Sequence, residues 1–185
     1  MNNLILASAS PRRKELLELA GFDFEIITAD VDEVLDASLT PSQLVMSLAF
    51  QKASAVAAEH KQSTVIGADT VVVLDGKVLG KPHGNTEAKA MLTELSGRTH
   101  EVYTGVCLIK GDKMHQFFEC TKVSFYPLES ELIDSYVASG ECNDKAGAYG
   151  IQGKGCVLVK GIEGDYFNVV GFPVARFCRE IKAFA

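Results

Sequence analysis

The chain has 185 residues, 18 Lys and Arg against 24 Asp and Glu, a formal net charge of −6, 47% hydrophobic residues and 23% charged ones. That apolar content excludes a disordered chain, and a chain of this length buries about 70% of its unfolded surface, enough for one domain over residues 1–185 or two lobes about a cleft. An acidic balance without a basic tail excludes a general binder of nucleic-acid polymers. Every apolar run meets a charge or glycine well before the roughly 18 residues of a membrane span, and the start, Met1-Asn2-Asn3, has no basic stretch of a secretory signal. The five cysteines (Cys107, Cys120, Cys142, Cys156, Cys178) are odd in number and form no C-x-x-C, which points to reduced thiols in a cytosol.

Residues 4–7 read as a short strand, followed by a tight loop and a helix over 11–20. Ser10 suits its N-cap, Pro11 its first position and Gly21 its stop. Residues 24–29 are predicted as a second strand, followed by the acidic stretch Asp30-Val31-Asp32-Glu33. Thr40-Pro41 opens a helix running to about residue 60, with an apolar stripe through Val45, Leu48, Ala49 and Val56. Residues 65–66 and 71–74 read as strand, and Asp75-Gly76 as a hairpin turn before 78–79. Asn85 caps a helix to 95. Residues 102–109 and 116–125 form a long hairpin about Gly111-Asp112, and a helix over 130–138 precedes a glycine-rich loop at 147–155. A hairpin of 156–159 with 166–170 and a helix from Pro173 complete the chain. Helices mixed with antiparallel hairpins predict an α/β fold with a mixed, mostly antiparallel sheet and flanking helices around a central cleft.

Four places break local rules, and functional sites are where such breaks are found. Arg12-Arg13-Lys14 puts three cations in the first turn of a helix, where the macrodipole disfavours them by roughly 0.3–1 kcal/mol each. Either they hold an anion together with the loop's N–H groups, or they splay into water. Asp69 lies inside Val65-Ile66-Gly67-Ala68-Asp69-Thr70-Val71-Val72-Val73-Leu74, a run too apolar for an unpaired carboxylate unless a bulge or turn exposes it. Lys52 falls on the apolar stripe of its helix, facing an anion or snorkelling to solvent. Asp30, Asp32 and Glu33 form a solvated turn or part of a cation site. Finally, Asp144-Lys145-Ala146-Gly147-Ala148-Tyr149-Gly150-Ile151-Gln152-Gly153-Lys154-Gly155 offers close-approaching backbone, a cation, a stacking face and an amide, and Gly80-Lys81-Pro82 another cation on a rigid turn. Several cations, at least two carboxylates and no visible Ser-His or Cys-His pairing suit metal-assisted attack of water on a phosphate chain, with hard oxygen ligands for Mg²⁺.

At these residues the chain resembles the Maf family of nucleoside triphosphate pyrophosphatases. The resemblance rests on Ser8-Ala9-Ser10-Pro11-Arg12-Arg13, Gly67-Ala68-Asp69-Thr70, Leu79-Gly80-Lys81-Pro82 and Ser96-Gly97-Arg98-Thr99-His100. It continues through the 144–153 loop, Gly164-Asp165-Tyr166 and Gly171-Phe172-Pro173, spanning almost the whole chain in order.

The resemblance implies an inosine-triphosphatase-like fold and hydrolysis between the α and β phosphates, giving monophosphate and pyrophosphate and limiting misincorporation of non-standard nucleotides. It implies a divalent cation (Mg²⁺, with Mn²⁺ or Co²⁺ as alternatives), a cytoplasmic location and a homodimer, with no membrane or nucleic-acid partner. By resemblance, Asp69 and Glu33 are the catalytic and metal-holding carboxylates, Lys52 and Lys81 catalytic cations, and Ser8, Arg12, Arg13, Thr70, Lys145 and Gln152 bind substrate. Arg12, Thr70 and Gln152 match the subgroup acting on dTTP and UTP. The alternatives are a pyrophosphatase for a methylated purine nucleotide, or a nucleotide-binding regulator of septation. Gln152 also suits a pyrimidine on chemical grounds, because its amide can accept from N3–H of uracil or thymine while donating to a ring carbonyl.

Overall fold

The computed structural model describes residues 3–29, 31, 33–36 and 38–184. β1 (Leu4–Leu6) is apolar and buried at each position, and it pairs in parallel with β2 (Glu25–Ile26) on one side and β3 (Thr64–Leu74) on the other. β3 returns through the Asp75-Gly76 turn, both residues in the left-handed region as a two-residue hairpin demands, to antiparallel β4 (Lys77–Leu79). The long hairpin is β5 (Thr99–Lys110) and β6 (Lys113–Phe125), and β7 (Val159–Glu163) adds antiparallel to β6. Among the described residues these seven strands form one mixed, mostly antiparallel sheet in the order β2-β1-β3-β5-β6-β7, with β4 on β3.

The chain divides into two units, Met1–Thr70 with Thr104–Glu119 and Gly171–Ala185, and Val71–Tyr103 with Cys120–Val170. The first holds α1 (Pro11–Leu19), α2 (Pro41–Ala57) and α6 (Val174–Phe184). Ile5, Val65, Cys107 and Ile109 pack there against Ala49, Ala53 and Val56 of α2. The second holds α3 (Asn85–Leu95), α4 (Ser130–Ala138) and α5 (Tyr166–Val170), whose core includes Leu92, Leu95, Phe125, Tyr136 and Tyr149.

α2 starts where Thr40-Pro41 predicts, and its capping box is complete. The Gln43 N–H donates to Thr40 Oγ1, and the Thr40 N–H donates to Gln43 Oε1 at 3.0 Å. Ala49 and Ala53 on the buried face of α2 let β3 approach closely at a glycine. A Cβ on Gly67 would overlap the Ala49 carbonyl and come within 2.9 Å of Ala53, and one on Gly105 would overlap Val45. Gly67→Ala is therefore expected to destabilise by about 1–3 kcal/mol through overpacking in a urea titration. Gly161→Ala, with open space around its added methyl, should leave the midpoint unchanged.

Four elements differ from expectation. β2 is two residues long, not six. Gly84, at φ +99°, occupies the N-cap of α3 with Asn85 as its first residue, and the Glu87 carboxylate accepts the His83 N–H at 2.6 Å. β3 is continuous through Asp69, so no bulge or turn exposes that carboxylate by breaking the strand. The expected hairpin of 156–159 with 166–170 does not form. Residues Gly153–Leu158 wind into 3-10 turns, and Tyr166–Val170 is helical. Asp165 Oδ1 accepts the Phe167 N–H at 2.8 Å, and the buried Asn168 amide donates to Val102 O and Thr121 Oγ1. These polar bonds override the strand propensity of an aromatic and β-branched run.

Candidate active site

In the first unit, the close approach of α2 to β3 at Gly67 sets Lys52 beside Asp69. The Lys52 ammonium pairs with Asp69 Oδ1 and, at 3.0 Å, with Glu33 Oε1. Asp69 is the more enclosed carboxylate, its side chain 14% exposed against 42% for Glu33. Glu33 is held there by a residue that pattern reading passes over. Gln51 accepts the Val34 N–H at 2.9 Å and donates to the Val34 carbonyl at 3.2 Å, clamping the segment beside its own neighbour Lys52. Asp30 and Asp32, the other members of the acidic stretch, lie outside the described residues.

Arg13 resolves part of the cation anomaly at the start of α1. It is buried, and four of its five N–H groups meet neutral oxygens: Nε donates to Gly171 O (3.0 Å), Nη1 to Ser8 Oγ (3.0 Å) and Ala68 O (2.9 Å), and Nη2 to Thr70 Oγ1 (3.1 Å). Burial lowers its pKa, and the charges of Asp69 and Glu33 work against that fall. Thr70 Oγ1 also lies 2.9 Å from Thr104 Oγ1, and Ser8 Oγ accepts the Ser10 N–H. Ser8, Thr70 and the strand carbonyl beside Asp69 are thus fixed through one guanidinium. Lys14 follows the solvated reading, half-exposed and 3.7 Å from Glu18, and Arg12 is part-buried.

The remaining candidates lie in the second unit. Lys81 is exposed, and the carbonyl of the preceding Gly80 accepts the Gly147 N–H at 3.0 Å. Lys145 turns into its own loop, donating to Glu141 O (2.6 Å) and Asp144 Oδ1 (2.7 Å), with its stem against Gly150. Gln152 is exposed, and its side chain makes no hydrogen bond among the described residues. Tyr149, expected as a stacking face, is buried core instead.

No group of three His, Cys, Asp or Glu is arranged for a metal among the described residues. Glu33 and Asp69 do converge on one cation, the Lys52 ammonium. Two hard carboxylates gathered on a positive charge are of the kind that would hold a divalent ion. The site can therefore bind phosphate through cations and hydroxyls while placing a carboxylate against water.

Comparison with known proteins shows what the chain is similar to. Curated relatives named dTTP/UTP pyrophosphatase from Bacillus mycoides and Bacillus anthracis are each 58% identical, over 100% of this chain and 96% of theirs. Among solved structures, the HAM1 protein of Coxiella burnetii matches with a TM-score of 0.54 and 15% identity, over 99% of this chain and 100% of that one. The Staphylococcus aureus Ham1 protein matches with a TM-score of 0.51 and 16% identity, over 67% of this chain and 72% of that one. Both share the fold. The family model described as Maf-like protein matches residues 3–184, from β1 to the end of α6, and with the identity to the Bacillus proteins this places the chain in the Maf-like family.

Proposed function

We propose that this chain is a nucleoside triphosphate pyrophosphatase that hydrolyses dTTP and UTP to the monophosphate and pyrophosphate. Two things support the substrate: the activity named for relatives 58% identical over the whole chain, and a Gln152 amide that is unbonded among the described residues and able to read the N3–H and carbonyl edge of a pyrimidine. The observation that carries the chemistry is the Lys52 ammonium bridged between Asp69 and Glu33.

Asp69 Oδ1 is engaged by Lys52, which leaves Oδ2 to orient a water and take its proton as the water oxygen bonds to phosphorus and the α–β bridge breaks. A divalent cation on Glu33 and Asp69, with Mg²⁺ the expected ion, would neutralise phosphate charge and polarise the oxygens it touches. Lys52 and Lys81 are assigned to the charge that builds on the phosphoryl oxygens. Ser8, Arg12, Arg13 and Lys145 are assigned to binding phosphate. For Arg13 the one N–H left over among the described residues is assigned as the donor, and its larger effect comes through the Ser8 and Thr70 hydroxyls it holds. Thr70 is assigned to base choice with Arg12 and Gln152.

The resemblance further supports one functional domain over 1–185 acting as a cytoplasmic homodimer without nucleic-acid or membrane partners. No described helix is long and apolar enough to cross a membrane. The experiment that tests the reaction is product analysis with dTTP. Equimolar dTMP and pyrophosphate are expected, whereas dTDP and orthophosphate would overturn the assignment of the bond cleaved.

A further inference from the structure

The Ser96-Gly97-Arg98-Thr99-His100 segment enters the resemblance without a role, and its last residue lies under the loop that carries Gln152. His100 is 1% exposed, and its Nε2 is 2.7 Å from the Tyr149 hydroxyl. The imidazole, Phe125 and Tyr149 stand mutually edge to face, with centroids 4.7–5.3 Å apart. Burial pulls the His100 pKa down to about 4 and pushes that of Tyr149 up, so at neutral pH the link joins two uncharged groups. His100 Nδ1 has no hydrogen-bond partner among the described residues. Leaving a buried nitrogen unsatisfied is costly, and an apolar ring would pack here without that cost. The imidazole is therefore explained by its other nitrogen, the one on Tyr149.

Tyr149 follows a strained stretch. Gly147 (φ +66°) and the fully buried Ala148 (φ +58°) are successive left-handed residues, and a residue with a Cβ avoids that conformation. Such strain persists only where the surroundings over-determine it, and here they do. The Gly147 N–H donates to Gly80 O, and any Cβ at Gly147 would press on Val72 at 3.0 Å. The Gly150 N–H donates to the Tyr136 hydroxyl at 3.1 Å, and the Lys154 N–H to the Glu141 carboxylate at 2.9 Å. Gln152 lies in sequence between the last two pins, with its amide unbonded among the described residues.

We infer that His100 and Tyr136 are positioning residues of this enzyme: through Tyr149 and Gly150 they hold the 147–152 kink and thereby aim the Gln152 amide at the substrate base. The inference rests on the reading of Gln152 as the base-reading residue.

Tyr149→Phe and Tyr136→Phe each remove one hydroxyl and keep the ring. Each is expected to speed amide exchange over residues 150–154 by about tenfold relative to the rest of the chain. Each should also raise KM for dTTP and UTP severalfold with a smaller change in kcat, and lower the kcat/KM preference for dTTP over dGTP. The double variant His100→Phe/Tyr149→Phe removes the link without orphaning either end. It should melt no lower than the single Tyr149→Phe variant and still lose preference, which a merely structural role would not produce. Unchanged local exchange with unchanged preference in the tyrosine variants overturns the inference. Gln152→Ala, measured in parallel, separates the two claims. If it alters preference while the tyrosine variants do not, positioning alone fails. If it leaves preference unchanged, the base-reading assignment has failed and the positioning inference falls with it.

Discussion

Asp69→Asn is expected to fold like the parent and to lose turnover by on the order of 10³-fold, within the range ascribed to a positioned general base. The amide is nearly isosteric, so the continuous β3 and the Arg13 bond to the Ala68 carbonyl have no reason to change. What changes is charge: Oδ2 becomes an amide group or a weakly basic carbonyl, and neither takes a proton from water at neutral pH. Lys52 at the same time loses the more enclosed of its two carboxylates, retaining Glu33 at 3.0 Å. Steady-state turnover of dTTP, with thermal melting to confirm folding, reads both halves. A folded variant with near-parental turnover would sink the role given to Asp69.

Gln152→Glu is expected to cut kcat/KM for dTTP and UTP by about 10²-fold and to affect dGTP far less. A glutamine amide offers both a donor and an acceptor, matching the N3–H and carbonyl edge of a pyrimidine, whereas an ionised carboxylate only accepts. A site built to hydrogen-bond its ligand penalises a mismatch strongly, because the ligand's polar edge is left unpaired once water is excluded. The residue is exposed and unbonded among the described residues, so the fold is not at stake. Equal losses for every nucleotide would point to charge repulsion of phosphate rather than base reading.

How much of this could be read from sequence depended on whether the signal was local. The α2 start, the Asp75-Gly76 turn, the long hairpin and α4 follow from caps, turn chemistry and period, and the structure has them where expected. Asp69 and Lys52 stood out because each violates the burial rule of its element, and they meet. By contrast, the clamp of Gln51 on Val34 and the Arg13 bonds to Ala68 and Gly171 carbonyls are long-range, and no periodicity encodes them. Tyr149 illustrates the opposite error. An aromatic residue in a glycine-rich loop suggested a stacking face, yet its ring completes a core with Phe125 and His100. α5 is not legible in the sequence because the decisive information, the Asn168 amide on Val102 and Thr121, is tertiary.

The most direct measurement is pyrophosphate release from canonical and methylated nucleoside triphosphates, with Mg²⁺ and with a chelator. Turnover confined to dTTP and UTP among the canonical nucleotides, and abolished by the chelator, is the predicted result. Preferred turnover of a methylated purine, or release undiminished by the chelator, would contradict it.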